Sequence, residues 1–225
     1  MSLLGNKLPP AAQPVGFLSD VHGHLEALNL VLDELSRLGV AQFVVTGDLL
    51  LGGPEPLATW RRLVEVGARC TRGLGDRALV EVDPSNVSLL PGAPAAERER
   101  LESFRRTREA LGDLVLEQLR RLPETLRLPL IDGGEIVASH GSPADPDVEL
   151  SHDLDDDEIR ARLGSEVADI VVCGATHVPF VRDLGDQRVL NVGSVGAAPT
   201  GDVADYAIVR PRMDGPEIVP GFVRL

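Results

Sequence analysis

Residues 15–24 have the sequence VGFLSDVHGH, in which a short apolar run leads directly into polar side chains. The run Val15–Ser19 has the length and composition of a buried β-strand. The segment after it carries apolar residues at helical spacing up to Gly39, namely Leu25, Leu28, Val31, Leu32, Leu35 and Leu38. The stretch therefore predicts a strand and a helix joined by a loop that contains Asp20 and His22.

The same alternation continues beyond this unit. Strands are predicted over residues 41–46 and 68–71, on either side of a helix over 54–66. Short β-α-β units of this kind predict neighbouring, largely parallel strands. A loop over 83–94 and a long helix over 95–122 follow, and the rest of the chain is richer in hairpins. The strands predicted there are 126–131, 135–139, 169–173, 178–184, 188–192, 204–210 and 217–223, so the fold class is α/β.

The composition limits the size and location of the protein. At 225 residues, 43% of them hydrophobic and 25% charged, we expect one globular domain over 15–225, preceded by a flexible arm over 1–14. No apolar run approaches the roughly 20 residues of a membrane-spanning helix, and the N-terminus does not resemble a secretory signal. Two cysteines are too few for a disulfide framework. We therefore expect a cytoplasmic protein that does not enter a membrane.

The net charge limits the class of partner. At −13, the chain repels nucleic-acid phosphates and anionic lipid, so extended binding to either is not expected. A small substrate is the better expectation.

Metal-ligand side chains follow the predicted strands at the point where each strand ends; they are Asp20, His22, His24, Asp48, His140 and His177. In α/β sheets, loops that leave the carboxyl ends of strands converge there and bind ligands. Of these side chains, Asp20, His22, Asp48 and His177 form a mixed oxygen and nitrogen set that suits Mn²⁺, Fe or Zn²⁺. Such an ion lowers the pKa of a bound water towards neutrality and so supplies a hydroxide nucleophile. The residues therefore predict a divalent metal site.

Six motifs occur in order at these strand ends: Asp-x-His-Gly, Gly-Asp, Arg-Gly-x-x-Asp-Arg, Ser-His-Gly-Ser-Pro, Gly-x-Thr-His-Val-Pro-Phe and Asn-x-Gly-Ser-Val-Gly. From about Val15 to Arg210 the chain resembles the calcineurin-like metallophosphoesterases, in their small prokaryotic phosphodiesterase branch. The resemblance implies a four-layer α/β/β/α sandwich with mixed sheets. It also implies a dinuclear centre that directs hydroxide at a phosphate monoester or diester.

The resemblance implies that the first metal site is complete, with Asp20, His22 and His177 joined by Asp48 as the carboxylate that bridges the two ions. For the second ion, His140 and the shared Asp48 are present. His140 is a candidate for contact with that ion or with the substrate phosphate.

Three other family positions are changed. Leu74 stands where the family has a metal-binding Asn, Gly75 where it has a His that assists the leaving group or phosphate, and Ala175 where it has a further His ligand. Loss of even an outer partner of a metal site costs about 10–100-fold in affinity or activity, so we expect one firmly bound ion and a weak or absent second one.

Three residues near these motifs have open roles. His24 is either a residue of the helix start or a substitute for the lost catalytic His. Arg72 and Arg77 either bind phosphate or pair with surplus acidic residues. We expect a phosphoesterase acting on a small phosphorylated substrate; the alternative is a degenerate member that binds metal or phosphate without turnover.

Overall fold

The computed structural model describes Leu8 and residues 10–225, and these form two five-stranded sheets. The strands are β1 (Val15–Leu18), β2 (Gln42–Val45), β3 (Arg69–Cys70), β4 (Thr125–Pro129), β5 (Glu135–Ser139), β6 (Ile170–Cys173), β7 (Phe180–Asp183), β8 (Arg188–Asn191), β9 (Val203–Arg210) and β10 (Glu217–Arg224). The first sheet has the order β10-β9-β1-β2-β3 and the second β4-β5-β6-β8-β7. Each sheet has parallel strands at its centre and antiparallel strands at one or both edges, so both are mixed, as the sequence predicts.

Five α-helices flank the sheets across the described part of the chain: α1 (Leu25–Arg37), α2 (Pro56–Glu65), α3 (Leu74–Glu81), α4 (Ala95–Arg120) and α5 (Asp156–Leu163). A single 3₁₀ turn over Pro84–Asn86 interrupts the loop between α3 and α4. None of the helices in the described ranges has both the length and the apolar composition that crossing a bilayer requires.

Three buried clusters of side chains separate the layers. The first lies between the first sheet and the helices α1, α2 and α4, and includes Leu32, Leu63 and Leu119. The second joins the inner faces of the two sheets, and the third packs α5 against the outer face of the second sheet. The order of layers is therefore α/β/β/α, which confirms the expected four-layer sandwich.

The N-terminal segment differs from the expected flexible arm over 1–14 where the structure describes it. The Leu8 amide donates to the Arg127 carbonyl at 2.9 Å, and the Ala11 amide donates to the Pro129 carbonyl at 2.8 Å. Both side chains are buried in the cluster between the sheets. Leu8 and Ala11 thus lie along β4, because their apolar side chains complete the inner face of the sandwich. Residues 1–7 and 9 lie outside the described residues.

Helix α4 is broken at Gly112, which has φ 66° and ψ 171°. The sequence predicts one continuous apolar stripe that includes Leu111, Leu114 and Val115. In the structure Leu111 and Val115 are buried, whereas Leu114 is 75% exposed. The non-helical backbone at Gly112 turns the second part of the helix about its axis. Residues after Gly112 therefore face a different direction from the one that regular helical spacing predicts.

Candidate metal centre

The carboxyl ends of four strands meet at one edge of the sandwich. Asp20 follows β1 and Asp48 follows β2 in the first sheet, while His140 follows β5 and the 174–177 loop follows β6 in the second. A backbone hydrogen bond ties the two sheets together at this edge: the Gly196 amide, in the loop after β8, donates to the Asp20 carbonyl at 2.9 Å. The loops that carry the predicted ligands are therefore brought together.

Asp20, His22 and His177 form the first cluster of ligand atoms. The Oδ1 atom of Asp20 lies 3.1 Å from Nε2 of His177 and 3.7 Å from Nε2 of His22. The two Nε2 atoms are 3.2 Å apart. Three donor atoms thus face one another at separations that a single cation can span.

Asp20, Asp48 and His140 form the second cluster. Nε2 of His140 lies 3.7 Å from Oδ2 of Asp48. The resemblance implies that Asp48 is the shared carboxylate, whereas in the structure it is Asp20 that belongs to both clusters. The Gly75 amide donates to Oδ1 of Asp48 at 2.7 Å, so one oxygen of Asp48 is engaged away from the first cluster.

Backbone carbonyls fix the orientation of two of the three histidine rings. Nδ1 of His22 lies 2.8 Å from the Leu51 carbonyl oxygen, and Nδ1 of His140 lies 2.8 Å from the Thr46 carbonyl oxygen. A carbonyl only accepts, so each Nδ1 carries the proton and donates it. The Nε2 lone pairs then face the centre, which is the tautomer that a metal-binding imidazole requires.

The buried Oδ1 atom of Asp20 has no hydrogen-bond partner among the described residues. A buried carboxylate oxygen without a partner is costly, because it has lost its water and gained no donor. The other oxygen, Oδ2, accepts from the Ala175 amide at 3.1 Å. A divalent cation at Oδ1, shared with the two imidazoles, would satisfy the unpaired oxygen, so the residues fit a metal ion.

The backbone of the ligand-bearing loops is strained. Of the described residues other than glycine, those with positive φ are Asp20, His22, Asp48, Ala175 and His177, with values from 49° to 68°. This left-handed region is disfavoured for residues with a side chain, and such residues cluster at functional sites. Four of them are predicted ligands, and the fifth occupies the position of a family ligand.

The charges of the cluster support one another. Burial alone would raise the pKa of Asp20, but the His177 imidazole 3.1 Å from Oδ1, the charge of His140 and the Ser19 hydroxyl hold this pKa below its usual value. The nearby Asp20 carboxylate raises the pKa of His177, against the effect of burial. Asp20 is therefore an anionic ligand at neutral pH.

The three changed family positions carry no metal-binding side chain in the structure. Leu74 is 42% exposed at the start of α3. Gly75 and Ala175 contribute no ligand side chain, yet their backbone amides donate to Asp48 and Asp20. Amide donors thus occupy one oxygen of each carboxylate, on the side where ligands are missing.

His24 lies beside the centre, at the residue before α1. A Cβ added at Gly53 or at Gly196 would come within 2.8 Å of Cδ2 of His24. The ring therefore occupies space that two glycines leave open. Burial and the neighbouring charge of His22 lower the pKa of His24, and the charge of Glu55 offsets part of this lowering.

Arg72 and Arg77 make ion pairs with acidic residues. Both guanidinium groups contact Glu124, at 3.2 and 3.3 Å, and Arg77 also contacts Asp147 at 2.8 Å. These contacts agree with the alternative that the two arginines pair with acidic residues. To bind a phosphate, Arg72 and Arg77 would have to release these carboxylates.

Asp76 is a structural residue of the site whose role the sequence does not predict. It is fully buried, and its two oxygens accept from the amides of Leu49 and Gly73 at 3.0 Å each. Burial and the nearby charge of Asp48 raise the pKa of Asp76 to about 7. The residue holds the loop after β2 against the start of α3. Its place in the Arg-Gly-x-x-Asp motif was the signal that could have identified it.

The sequence profile of the calcineurin-like phosphoesterase superfamily domain matches residues 14–213. An uncharacterized protein of Methanocaldococcus jannaschii is 24% identical over 183 residues, which cover 80% of this chain and 69% of that protein.

Solved structures share the fold. A metallophosphoesterase from Sphaerobacter thermophilus is 25% identical with a TM-score of 0.70, covering 96% of this chain and 89% of that chain. A hypothetical protein from Pyrococcus horikoshii OT3 is 21% identical with a TM-score of 0.78, covering 94% of this chain and 87% of that chain. These likenesses confirm the fold that the sequence predicts.

Proposed function

The chain belongs to the calcineurin-like phosphoesterase superfamily, and from this premise we propose that it is a metal-dependent hydrolase of a small phosphate monoester or diester. The family and the similar metallophosphoesterase support a hydrolase. The net charge of −13 favours a small substrate over extended binding to nucleic acid. A cytoplasmic location and manganese as the native ion remain predictions from the sequence.

The observation that carries the proposal is the unpaired Oδ1 atom of Asp20, which faces the Nε2 atoms of His22 and His177. These three residues would hold the first ion. When bound, a divalent ion activates water and neutralises charge on a phosphate. Asp20 supplies the negative charge, and the Leu51 carbonyl keeps the proton of His22 on Nδ1.

Asp48 and His140 would complete the set of ligands, or contact the substrate phosphate. Oδ2 of Asp48 and Nε2 of His140 face each other at 3.7 Å, and Asp20 is common to their cluster. With Leu74 and Ala175 in place of two ligands, a second ion has too few donors for firm binding. We therefore propose one firmly bound ion and a weak or absent second ion.

A second candidate function is supported by Gly75. The family position that contacts the leaving group or phosphate has no side chain here, and acid assistance contributes roughly 10²–10⁴-fold to catalysis. A protein that lacks it could bind metal and a phosphorylated ligand without turnover. His24 is the candidate replacement, since its ring lies beside His22.

Turnover of bis(p-nitrophenyl) phosphate, measured with added Mn²⁺, separates these functions. We expect metal-dependent hydrolysis that Asp20→Asn reduces by about 100-fold or more, because the shared ligand is weakened. Asp202→Asn, a change at an exposed aspartate, is the matched control and should keep the rate. Metal binding without hydrolysis would instead support the binding module, and a protein that takes up neither Mn²⁺ nor Zn²⁺ would contradict both.

A further inference from the structure

The segment over residues 191–194 connects the two sheets beside the metal centre and contributes no ligand atom to it. Asn191 is the last residue of β8 in the second sheet, and the chain then runs to β9 in the first sheet. Asn191 and Ser194 are both 0% exposed. A buried polar side chain is costly unless it is hydrogen-bonded, so the partners of these two side chains indicate what they do.

The Ser194 side chain holds the main chain of Asp20. Its hydroxyl donates to the Asp20 carbonyl at 2.9 Å and accepts from the Ala197 amide at 2.8 Å. The Gly196 amide donates to the same carbonyl at 2.9 Å. Asp20 has φ 53°, a conformation that its side chain disfavours. Two donors on one carbonyl therefore hold Asp20 in this conformation, which sets the direction of its unpaired Oδ1 atom.

Ser194 is itself fixed by β9. The Asp205 amide donates to the Ser194 carbonyl at 2.9 Å, and Oδ2 of Asp205 accepts from the Ser194 amide at 3.3 Å. A Cβ at Gly193 would lie 2.4 Å from this Oδ2 atom, and Gly193 has φ 76°, so the position requires glycine. The serine is thus fixed from the strand next to β1, whose end carries Asp20.

The Asn191 side chain holds the loop that carries His177. Its Nδ2 atom donates to the Gly174 carbonyl at 2.6 Å and to the Thr176 hydroxyl at 3.0 Å. Both partners lie just before His177 in the chain. The amide group therefore fixes the loop from which Nε2 of His177 reaches Oδ1 of Asp20 at 3.1 Å.

We propose that Ser194 and Asn191 are positioning residues of the metal centre: the serine fixes Asp20 and the asparagine fixes His177, so the two ligands face each other before an ion binds. Ligands that are already ordered bind an ion more tightly, because less conformational freedom is lost on binding. Both residues act through the ligands. The inference rests on the metal site of the proposed function and does not depend on hydrolysis.

The test is titration of the metal-free full chain with Co²⁺. Calorimetry measures the affinity, and visible absorption reports the geometry of the ligands around Co²⁺. Ser194→Ala should weaken Co²⁺ binding about tenfold or more and change the absorption spectrum, because Asp20 is no longer held in one conformation. Asn191→Ala should also weaken binding about tenfold or more, through His177.

Two matched variants show whether the loss of any buried polar side chain has this effect. Ser142 is also 0% exposed, and its hydroxyl donates to a carbonyl of α5 at 2.7 Å and accepts from the amide two residues later at 3.1 Å. Gln187 matches Asn191, since its amide donates to two backbone carbonyls of the loop before β6. Ser142→Ala and Gln187→Ala should keep the Co²⁺ affinity and spectrum of the wild type.

Urea titration of the metal-free proteins separates positioning from a loss of fold. Ser194→Ala and Ser142→Ala remove equivalent hydroxyl groups and should lower the stability by similar amounts. A lower Co²⁺ affinity in Ser194→Ala alone therefore reports the position of the ligands. If Asn191→Ala does not fold, the two serine variants decide the question.

The outcomes distinguish the positioning role from the proposed function. Equal Co²⁺ affinity and spectrum in wild type and Ser194→Ala, or equal weakening in Ser142→Ala, would overturn the positioning role while the metal site stands. Weakening in Ser194→Ala alone, with no phosphodiester hydrolysis by the wild type, would keep the positioning role and overturn the proposed reaction. A wild type that binds no Co²⁺ would overturn both.

Discussion

His22 and His177 direct their Nε2 atoms at each other across 3.2 Å. Two imidazole lone pairs at this distance repel unless a proton or a cation lies between them. The Leu51 carbonyl already holds the proton of His22 at Nδ1, so His22 has none to donate at Nε2 unless it becomes charged. The pair is therefore arranged to share a cation with Asp20.

Removal of one of these rings should release the ion. We expect the protein purified without chelator to carry about one ion per chain, and His177→Ala to lose it, because two donor atoms hold an ion far less firmly than three. Elemental analysis measures both. His152→Ala changes an exposed histidine outside the centre and should keep the metal content of the wild type. Equal metal in the two variants would contradict the assignment of His177.

Restoring the lost ligands should add a second ion. Leu74→Asn with Ala175→His supplies an amide and an imidazole next to the second cluster. The backbone at Ala175 already has φ 68°, similar to the φ of 60° at His177. We expect the metal content to rise from about one towards two ions per chain.

Leu90→Asn, at an 82% exposed position, is the control for this restoration and should not change the metal content. Gly75→His is left out because a Cβ there would lie 3.2 Å from Oδ1 of Asp48, closer than packed atoms usually approach. An unchanged metal content in the double variant would count against the explanation of the second site.

Gly53→Ala should be strongly destabilising. A Cβ at Gly53 would lie 2.3 Å from the His22 carbonyl oxygen, so the loop must move away from the centre. We expect a loss of about 2–4 kcal/mol in the free energy of unfolding, measured by urea titration. Gly92→Ala is the comparison: it has φ 83° but no atom within 4 Å of the new Cβ, and should cost about 1 kcal/mol. Similar losses in both variants would show that the contact with His22 is not the cause.

The stability of the metal-free protein should depend on the charge of Asp76. Its pKa is raised by burial to about 7, so the folded state keeps a proton that the unfolded chain releases near its usual pKa. The stabilisation that this bound proton gives to the folded state is fully present below the unfolded pKa and is lost as pH rises towards 7. We expect the unfolding free energy of the wild type, minus that of Asp76→Asn, to fall from pH 4 to pH 7. A value that stays constant or rises over this range would contradict the assignment.

The sequence predicts most of the sheet because strand formation here depends on local runs of apolar residues. The predicted strand over 169–173 corresponds to β6, and the pair flanking Asp132 to the hairpin of β4 and β5. Helix α3 escapes prediction, since Gly73 and Gly75 at its start disfavour helix and its short apolar pattern is weak. The phase of α4 beyond Gly112 also depends on a backbone angle that composition does not reveal.

For the candidate site, the sequence predicts which loops meet. It does not predict which carboxylate oxygens of Asp20 and Asp48 face each ligand cluster. The positions of Asp20 and Asp48 after parallel strands follow from the topology of α/β sheets. That Asp20 belongs to both ligand clusters follows only from how the two sheets dock, with the Gly75 and Ala175 amides taking one oxygen of each carboxylate. Such contacts between distant loops have no local pattern.

The hydrogen bond between Ala175 and Asp20 joins residues that are 155 positions apart in the chain. The ligand cluster therefore does not exist until both halves of the polypeptide have folded and their sheets have docked. An ion that binds only the finished sandwich stabilises it by mass action and leaves the unfolded chain unaffected. Metal occupancy would then report how much of the protein has completed folding, and metal depletion would first loosen the contact between the two sheets at this edge.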